Sequence, residues 1–251
     1  AAVAGAIPII RSMRESLAGD QITRVMGIVN GTTNYILTKM HEEGRAFDEV
    51  LKEAQALGYA EADPTADVEG HDAAAKIAIV ASIAFGAEVT SSDVHCEGIS
   101  SVSADDISFA QRHGYAIKLL AIAERFSLPG GDELSARVHP CLIPKAHPLA
   151  AVRESFNAVF VQGDAVGDLM FYGRGAGGDP TASAVLGDLV DAAVNLQSGA
   201  HASLGTFIPM SFRSNDELDA AWYLSLRVDD RPGVLAAIAG VFGSHGVSID
   251  S

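Results

Sequence analysis

Between Gly58 and Lys76 five carboxylates, Glu61, Asp63, Asp67, Glu69 and Asp72, come ahead of one lysine, and that lysine stands at the mouth of the apolar run Ile77 to Phe85. No fold can bury such a run without finding partners for the charges at its entrance. Pro64 restrains Asp63 to extended backbone and Gly70 interrupts any earlier helix, so a helix is expected to begin at His71 or Asp72. Asp72 and Lys76 then lie four apart on one helical face, with the acid toward the positive end of the helix. The neighbours Ala73, Ala74, Ala75, Ile77, Ala78, Ile79 and Val80 are small or apolar, which predicts a helix buried all round. Two readings stand side by side. One is a solvated ion pair at a helix start; the other is a desolvated lysine, flanked by Glu61, Asp67 and Asp72, that gives and takes a proton.

The chain's 251 residues, 48% of them hydrophobic, suffice for one large domain or two unequal ones. With 17 basic against 32 acidic residues the net charge is −15, which argues against nucleic acid or an anionic membrane as partner. Cys96 and Cys141 are too few for a disulfide framework and favour a reducing, cytoplasmic setting. The apolar opening Ala1 to Pro8 lacks the basic flank of a signal peptide and is too short to span a bilayer. It reads as a chain entered partway, and Val247 to Ser251 reads as one that stops inside a strand.

In order, Ile9 to Leu17 is expected to be an amphipathic helix and Ile22 to Val29 a strand that becomes buried toward its end. Asn30-Gly31-Thr32 then opens a helix running to about Glu43. These residues serve either as a turn with Thr32 as N-cap, or as a point where Gly31 lets the backbone approach a ligand and Thr32 offers a hydroxyl. Phe47 to Leu57 is a further helix, the segment from Asp72 to Phe85 another, and Ala104 to Gly114 a polar one. Tyr115 to Phe126 is apolar enough for either helix or strand; Leu134 to Leu142, after the Leu128-Pro129-Gly130-Gly131-Asp132 turn, reads as its hairpin partner and favours strand. Phe156 to Gln162 and Val166 to Tyr172 read as a second. His95, His139 and His147 are scattered and read as ordinary histidines.

The second hairpin runs into Gly173-Arg174-Gly175-Ala176-Gly177-Gly178-Asp179-Pro180, ahead of a helix Thr181 to Leu196 with Asp179 as N-cap and Pro180 in its first position. The glycines satisfy G-x-G-x-x-G, but no parallel strand with a terminal acid follows, so this is not a dinucleotide domain in itself. The turn still offers backbone N–H groups to a phosphate or a nicotinamide. After a polar stretch Ser211 to Asp219, Trp222 to Val228 reads as a strand, Asp229 to Leu235 as a turn into a helix, and Val247 as the start of another strand.

Taken together, Ala1-Ala2-Val3-Ala4-Gly5-Ala6-Ile7-Pro8-Ile9-Ile10, Gly27-Ile28-Val29-Asn30-Gly31-Thr32-Thr33-Asn34-Tyr35-Ile36, the Gly58 to Lys76 stretch and Gly173-Arg174-Gly175-Ala176-Gly177 make the chain resemble bacterial homoserine dehydrogenases of the actinobacterial type. Asp230-Arg231-Pro232-Gly233-Val234-Leu235 resembles the opening of the ACT domain that such enzymes carry at the C-terminus. The resemblance implies an α+β fold: a mixed β-sheet covered by helices on one face over residues 1–200, a linker over 201–219, and the first β-α-β part of a ferredoxin-like ACT domain over 220–251. The family's N-terminal Rossmann domain is absent from the chain, so no dehydrogenase activity is expected of these residues by themselves.

By the same resemblance the reaction is the NAD(P)-dependent interconversion of L-homoserine and L-aspartate 4-semialdehyde. Lys76 is then the general acid/base and Asp72 its partner; Glu61 binds the amino-acid head, and Gly31, Thr32, Tyr59 and Asp67 line the pocket. Gly175, Ala176 and Gly177 meet the NAD(P)H cofactor, and the carbonyls of Val3, Gly5 and Ile7 match a site for a monovalent cation, sodium in the first place. L-threonine as feedback inhibitor and a homodimer or homotetramer are further implications. Two rivals are an amino-acid-binding regulatory protein acting through its ACT tail, and a nucleotide binder using the Gly173 turn.

Overall fold

The structure, a computed structural model, describes residues 3–200 and 205–249; the start of the expected linker at 201–204, the first two residues of the opening motif and the end of the expected last strand at 250–251 lie outside them. The chain enters through α1 (Ile9–Arg11), which continues as a π-helical turn over Ser12–Ser16 and buries Ile9 and Met13. Then come β1 (Ile22–Ile28), α2 (Gly31–Glu43), α3 (Phe47–Ala56), the single turn α4 (Thr65–Val68) and α5 (His71–Phe85). They are followed by β2 (His95–Cys96), α6 (Ala104–Arg112), β3 (Tyr115–Leu128), β4 (Gly131–Pro144), β5 (Phe156–Gly163), β6 (Gly167–Arg174), α7 (Gly178–Ser198) and β7 (Ser211–Phe212). These elements belong to one compact unit, Ala1–Asp219, and α8 (Val234–Ser244) to another, Ala220–Ser251.

The strands form one mixed sheet in the order β2-β4-β3-β1-β5-β6, with β7 also on β4. Both expected hairpins are present: β3 and β4 pair antiparallel from Tyr115↔Pro144 to Leu128↔Gly131, and β5 pairs β6 from Phe156↔Arg174 to Gly163↔Gly167. The short strands β2 and β7 run parallel to β4. One sheet face carries the helices, where Ile36, Leu37 and Met40 of α2 and Ala74, Ile77, Val80 and Ala81 of α5 pack with Val25, Leu119, Ala121, Val138 and Val159. On the other face Ile28, Leu120, Ile122, Ile143 and Phe160 make a smaller cluster closed by Leu149 and Val152.

Register gathers the working parts at one end of this sheet. Ile28 pairs Ala158, and Ala158 pairs Tyr172. The end of β1, the beginning of β5 and the end of β6 therefore coincide, and adjacent strands are only about 4.8 Å apart. Asn30-Gly31 after β1 and the glycine turn after β6 leave the sheet from that same end. Because Gly27 pairs Ala121, Lys118 near the start of β3 lies there too.

Several local expectations are corrected. Helix α5 begins at His71 as expected but is not buried all round: Ala75 and Ile79 are exposed, and with Asp72 and Lys76 they form an open stripe. Seven alanine and aliphatic or aromatic positions, Ala73, Ala74, Ile77, Ala78, Val80, Ala81 and Phe85, already supply the packing face, and small residues on the opposite side need no cover. The N-cap of α2 is Asn30 rather than Thr32, and Asn30 Oδ1 accepts the Thr33 N–H at 2.9 Å. Helix α7 starts three residues earlier than expected, with Gly177 as N-cap, so Asp179 and Pro180 lie inside its first turn. The strands expected at Trp222–Val228 and from Val247 are not formed among the described residues. Trp222, Leu224, Leu226 and Val228 alternate as a strand should, but they are exposed, and a strand needs neighbours for its backbone groups.

Candidate active site

The charged entrance to α5 resolves into one hydrogen-bonded cluster. Lys76 Nζ donates to Asp72 Oδ2 at 2.6 Å and to the Val29 carbonyl at 2.9 Å. The first contact follows from helical spacing, and the second ties α5 to the end of β1. Asn30 Nδ2 donates to Asp67 Oδ1 at 2.7 Å and to Asp72 Oδ2 at 2.9 Å, so a single amide nitrogen bridges the two carboxylates. The Lys76 and Asp72 side chains are 25% and 33% exposed, which leaves the cluster open to a ligand yet sheltered on the sheet side. Gly70, with φ 81°, makes the left-handed turn that carries the chain from α4 into α5 and sets Asp67 and Asp72 on either side of it.

Next to this cluster, Thr32 Oγ1 donates to the Tyr59 carbonyl at 2.6 Å. Gly31 begins α2 where a Cβ would lie 2.8 Å from the Ser155 carbonyl, so its lack of a side chain is a packing requirement. The Tyr59 ring, 46% exposed, lies 5.1 Å from that of Tyr35. Tyr35 donates to Glu53, which also pairs with Arg45; burial first, and the hydrogen bond to Glu53 second, push the Tyr35 hydroxyl up to about 12. Glu61 stands apart: it is exposed, and only its carbonyl is engaged, by Gln55 Nε2 at 3.0 Å.

The glycine turn meets the start of the chain. Ala6 N donates to the Arg174 carbonyl at 3.1 Å, and a Cβ on Gly5 would run into the Gly175 carbonyl group. Gly5, at φ 56°, is thus glycine for both conformation and space. Gly177, at φ 125°, caps α7 without any side-chain cap, so the first backbone N–H groups of that helix are available to an acceptor such as a cofactor amide or phosphate. In the loop ahead of it Ala4 O accepts from Ile7 N at 3.1 Å and Ile7 O from Ile9 N at 2.8 Å. The loop curls through left-handed backbone at Ala4 and Gly5, and its peptide oxygens are the hard donors that a monovalent cation takes. Of the three carbonyls expected to hold an ion, those of Val3, Gly5 and Ile7, that of Ile7 already accepts an N–H.

Asn30 is the residue that sequence reasoning passed over as a turn. Its side chain caps α2 through Oδ1 and bridges two acids through Nδ2, and no local pattern signals the second role. Asn30→Ala is expected to lower unfolding stability by about 1–2 kcal/mol, since it removes a helix cap and the donor shared by Asp67 and Asp72. Asn30→Asp keeps a cap acceptor but sets a third carboxylate against the other two, so thermal denaturation should show it at least as unstable as the alanine variant. Equal stability of Asn30→Asp and the wild type would refute the bridging role.

The homoserine dehydrogenase family model matches residues 8–190, and the ACT domain model matches residues 222–251. Homoserine dehydrogenase of Corynebacterium glutamicum is 57% identical over 99% of this chain and 56% of its own length; that of Bacillus subtilis is 48% identical over the whole chain and 57% of its own. The chain thus spans little more than half the length of these curated relatives. Among solved structures, a homoserine dehydrogenase from Thiobacillus denitrificans superimposes with TM-score 0.83 at 44% identity, over 99% of this chain and 58% of that one. A hyperthermophilic archaeal homoserine dehydrogenase in complex with NADPH gives 0.64 at 31% identity, over 77% of this chain and 54% of that one. The match over 8–190 covers strands β1 to β6, the Lys76 cluster and the glycine turn, whereas a regulatory protein acting through its tail would account for residues 222–251 alone. With the family model matched over residues 8–190 and relatives at 57% and 48% identity, the chain belongs to the homoserine dehydrogenase family.

Proposed function

We propose that the chain carries the substrate-binding and proton-transfer part of an oxidoreductase that interconverts L-homoserine and L-aspartate 4-semialdehyde with NAD(P)H. The observation that supports this reading most is the coordination of Lys76. An ammonium has three donors; two go to Asp72 and the Val29 carbonyl, and the third is left for a substrate oxygen at the open side of the cluster. In the reducing direction Lys76 gives its proton to the oxygen that becomes the hydroxyl, and in the oxidising direction it takes that proton back. Asp72 holds the amine in reach, and Asn30 holds Asp72. Asp67 and the more exposed Glu61 accept from the ammonium of the amino-acid head, with Gly31, Thr32 and Tyr59 shaping the wall beside it.

The nicotinamide cofactor supplies or accepts the hydride when bound. Gly175, Ala176 and Gly177 are the residues of this chain that would meet it, and Val3, Gly5 and Ile7 those that would hold a sodium ion. Residues 1–200 form the catalytic part, 201–219 a linker that still lends Ser211–Phe212 to the sheet as β7, and 220–251 an ACT segment, through which L-threonine acts as an inhibitor. The assembly is a homodimer or homotetramer, and the setting is the cytoplasm; no helix among the described residues is long and apolar enough to cross a membrane. The test joins this chain in cis to the N-terminal portion that its relatives carry and follows cofactor absorbance with L-homoserine as substrate. Turnover that depends on homoserine is the expected result. Cofactor binding without any oxidation of homoserine would sink the assignment.

A further inference from the structure

Lys118 is a charged group that the proposed reaction does not use. It is only 4% exposed, and no carboxylate touches it. Its three donors go to neutral oxygens: the Val152 carbonyl at 2.6 Å, Asn34 Oδ1 at 2.9 Å and Thr38 Oγ1 at 3.4 Å. Burial pushes its ammonium down to about 8. A buried cation with no carboxylate in contact, only Glu42 acting on it from a distance, is costly, so what it holds together is informative.

What it holds leads to the Lys76 cluster. Asn34, buried beside it in the first turn of α2, passes the contact on: its Nδ2 donates to the carbonyls of Glu154 at 2.8 Å and of Val152 and Phe156 at 3.3 Å. Glu154 has φ 54°, a left-handed backbone that a glutamate seldom adopts unless its surroundings impose it. The next carbonyl, of Ser155, is the one that presses on Gly31. Gly31 follows Asn30, whose amide bridges Asp67 and Asp72.

We infer that Lys118 is a positioning residue for the Lys76 site: through Asn34 and the strained 152–156 segment it fixes the first turn of α2 and so aims the Asn30 amide at Asp67 and Asp72. The inference rests on the proposed reaction for its catalytic consequence, but its structural content does not.

Two measurements separate the two. In the chain as it stands, Lys118→Met is expected to speed hydrogen exchange at the Asn30 side-chain amide and the Thr33 backbone amide by about tenfold or more, while Val25 and Val161 in β1 and β5 stay protected. If the methionine variant loses strand protection too, Lys118→Gln, which keeps a donor for the Val152 carbonyl, is read in the same way. Asn34→Ala should give the same pattern, and the double variant should be no worse than the worse single one, as for two parts of one unit. In the protein extended to the length of its relatives, kcat should fall by about 10- to 100-fold with a smaller change in KM, and Lys118→Gln should recover part of the loss. Exchange that quickens only within 152–156, with Asn30 and Thr33 still protected, would overturn the inference. A wild-type protein without homoserine turnover would instead reject the reaction and leave the exchange result standing.

Discussion

Replacing Lys76 by alanine is expected to cut kcat by about 10²- to 10⁴-fold, the range that a positioned proton carrier contributes, with cofactor affinity and fold retained. The fold should survive because the residue lies on the open stripe of α5, where alanine is the better helix former and a partly exposed ion pair with Asp72 adds only about 0–1 kcal/mol. The Val29 carbonyl loses its donor, and with Val29 only 3% exposed that is the main cost to stability, about 1–3 kcal/mol. Lys76→Arg sharpens the test. Arginine keeps the positive charge and can still donate to a substrate oxygen, but it does not deprotonate in proteins. If Lys76 moved no proton and served only as a charge, the arginine variant would keep much of its activity. Loss in both variants, measured by steady-state turnover beside fluorescence titration of the cofactor, assigns proton transfer to this amine. Turnover near the wild-type level in Lys76→Ala would remove Lys76 from the reaction.

What the sequence disclosed, and what it withheld, follows the range of the interactions involved. The pairing of Asp72 with Lys76 is local, four residues on a helix, and it was readable; so were the β3–β4 and β5–β6 hairpins, whose turns are short and glycine-rich. In the sequence Asn30 reads only as a turn residue, because its two acidic partners lie 37 and 42 positions away and are brought to it by the sheet and the Gly70 turn. The alanine-rich composition of α5 suggested complete burial, but alanine is as comfortable at a surface as in a core, and only packing against the sheet decides which face is covered. Trp222 to Val228 has the alternation of a strand, yet alternation specifies a face and not a partner, and no strand forms among the described residues there. Lys118 sits in an apolar run that reads simply as a buried strand; the acceptors that make it interesting come from α2 and the segment after β4.

Gly98→Ala should be strongly disruptive, although the residue touches neither Lys76 nor Asp67 and Asp72. The segment around it is strapped on both sides: Glu97 N donates to the Val138 carbonyl of β4 at 2.8 Å, and Ile99 N to the Val68 carbonyl at 2.8 Å. A Cβ at Gly98 would strike that same Val68 carbonyl and lie 2.5 Å from Glu69 Cα, both of them backbone, so no side-chain rotation can relieve it. Either the segment peels away from β4, or the 68–70 turn moves. The second course drags Asp67 and Asp72 away from Asn30, because they flank the turn. The strain is of the overpacking kind, about 1–3 kcal/mol, and a displacement of about 1 Å at the acids is enough to lower kcat by about 10²-fold. Gly130→Ala is the control, since a Cβ there meets nothing within 4 Å. Thermal denaturation should place Gly98→Ala well below Gly130→Ala, and turnover in the extended protein should separate them further. If the two variants melt together and turn over alike, the turn that carries the acids is more pliant than its packing implies, and the tight backing of Gly98 would have no part in holding the site.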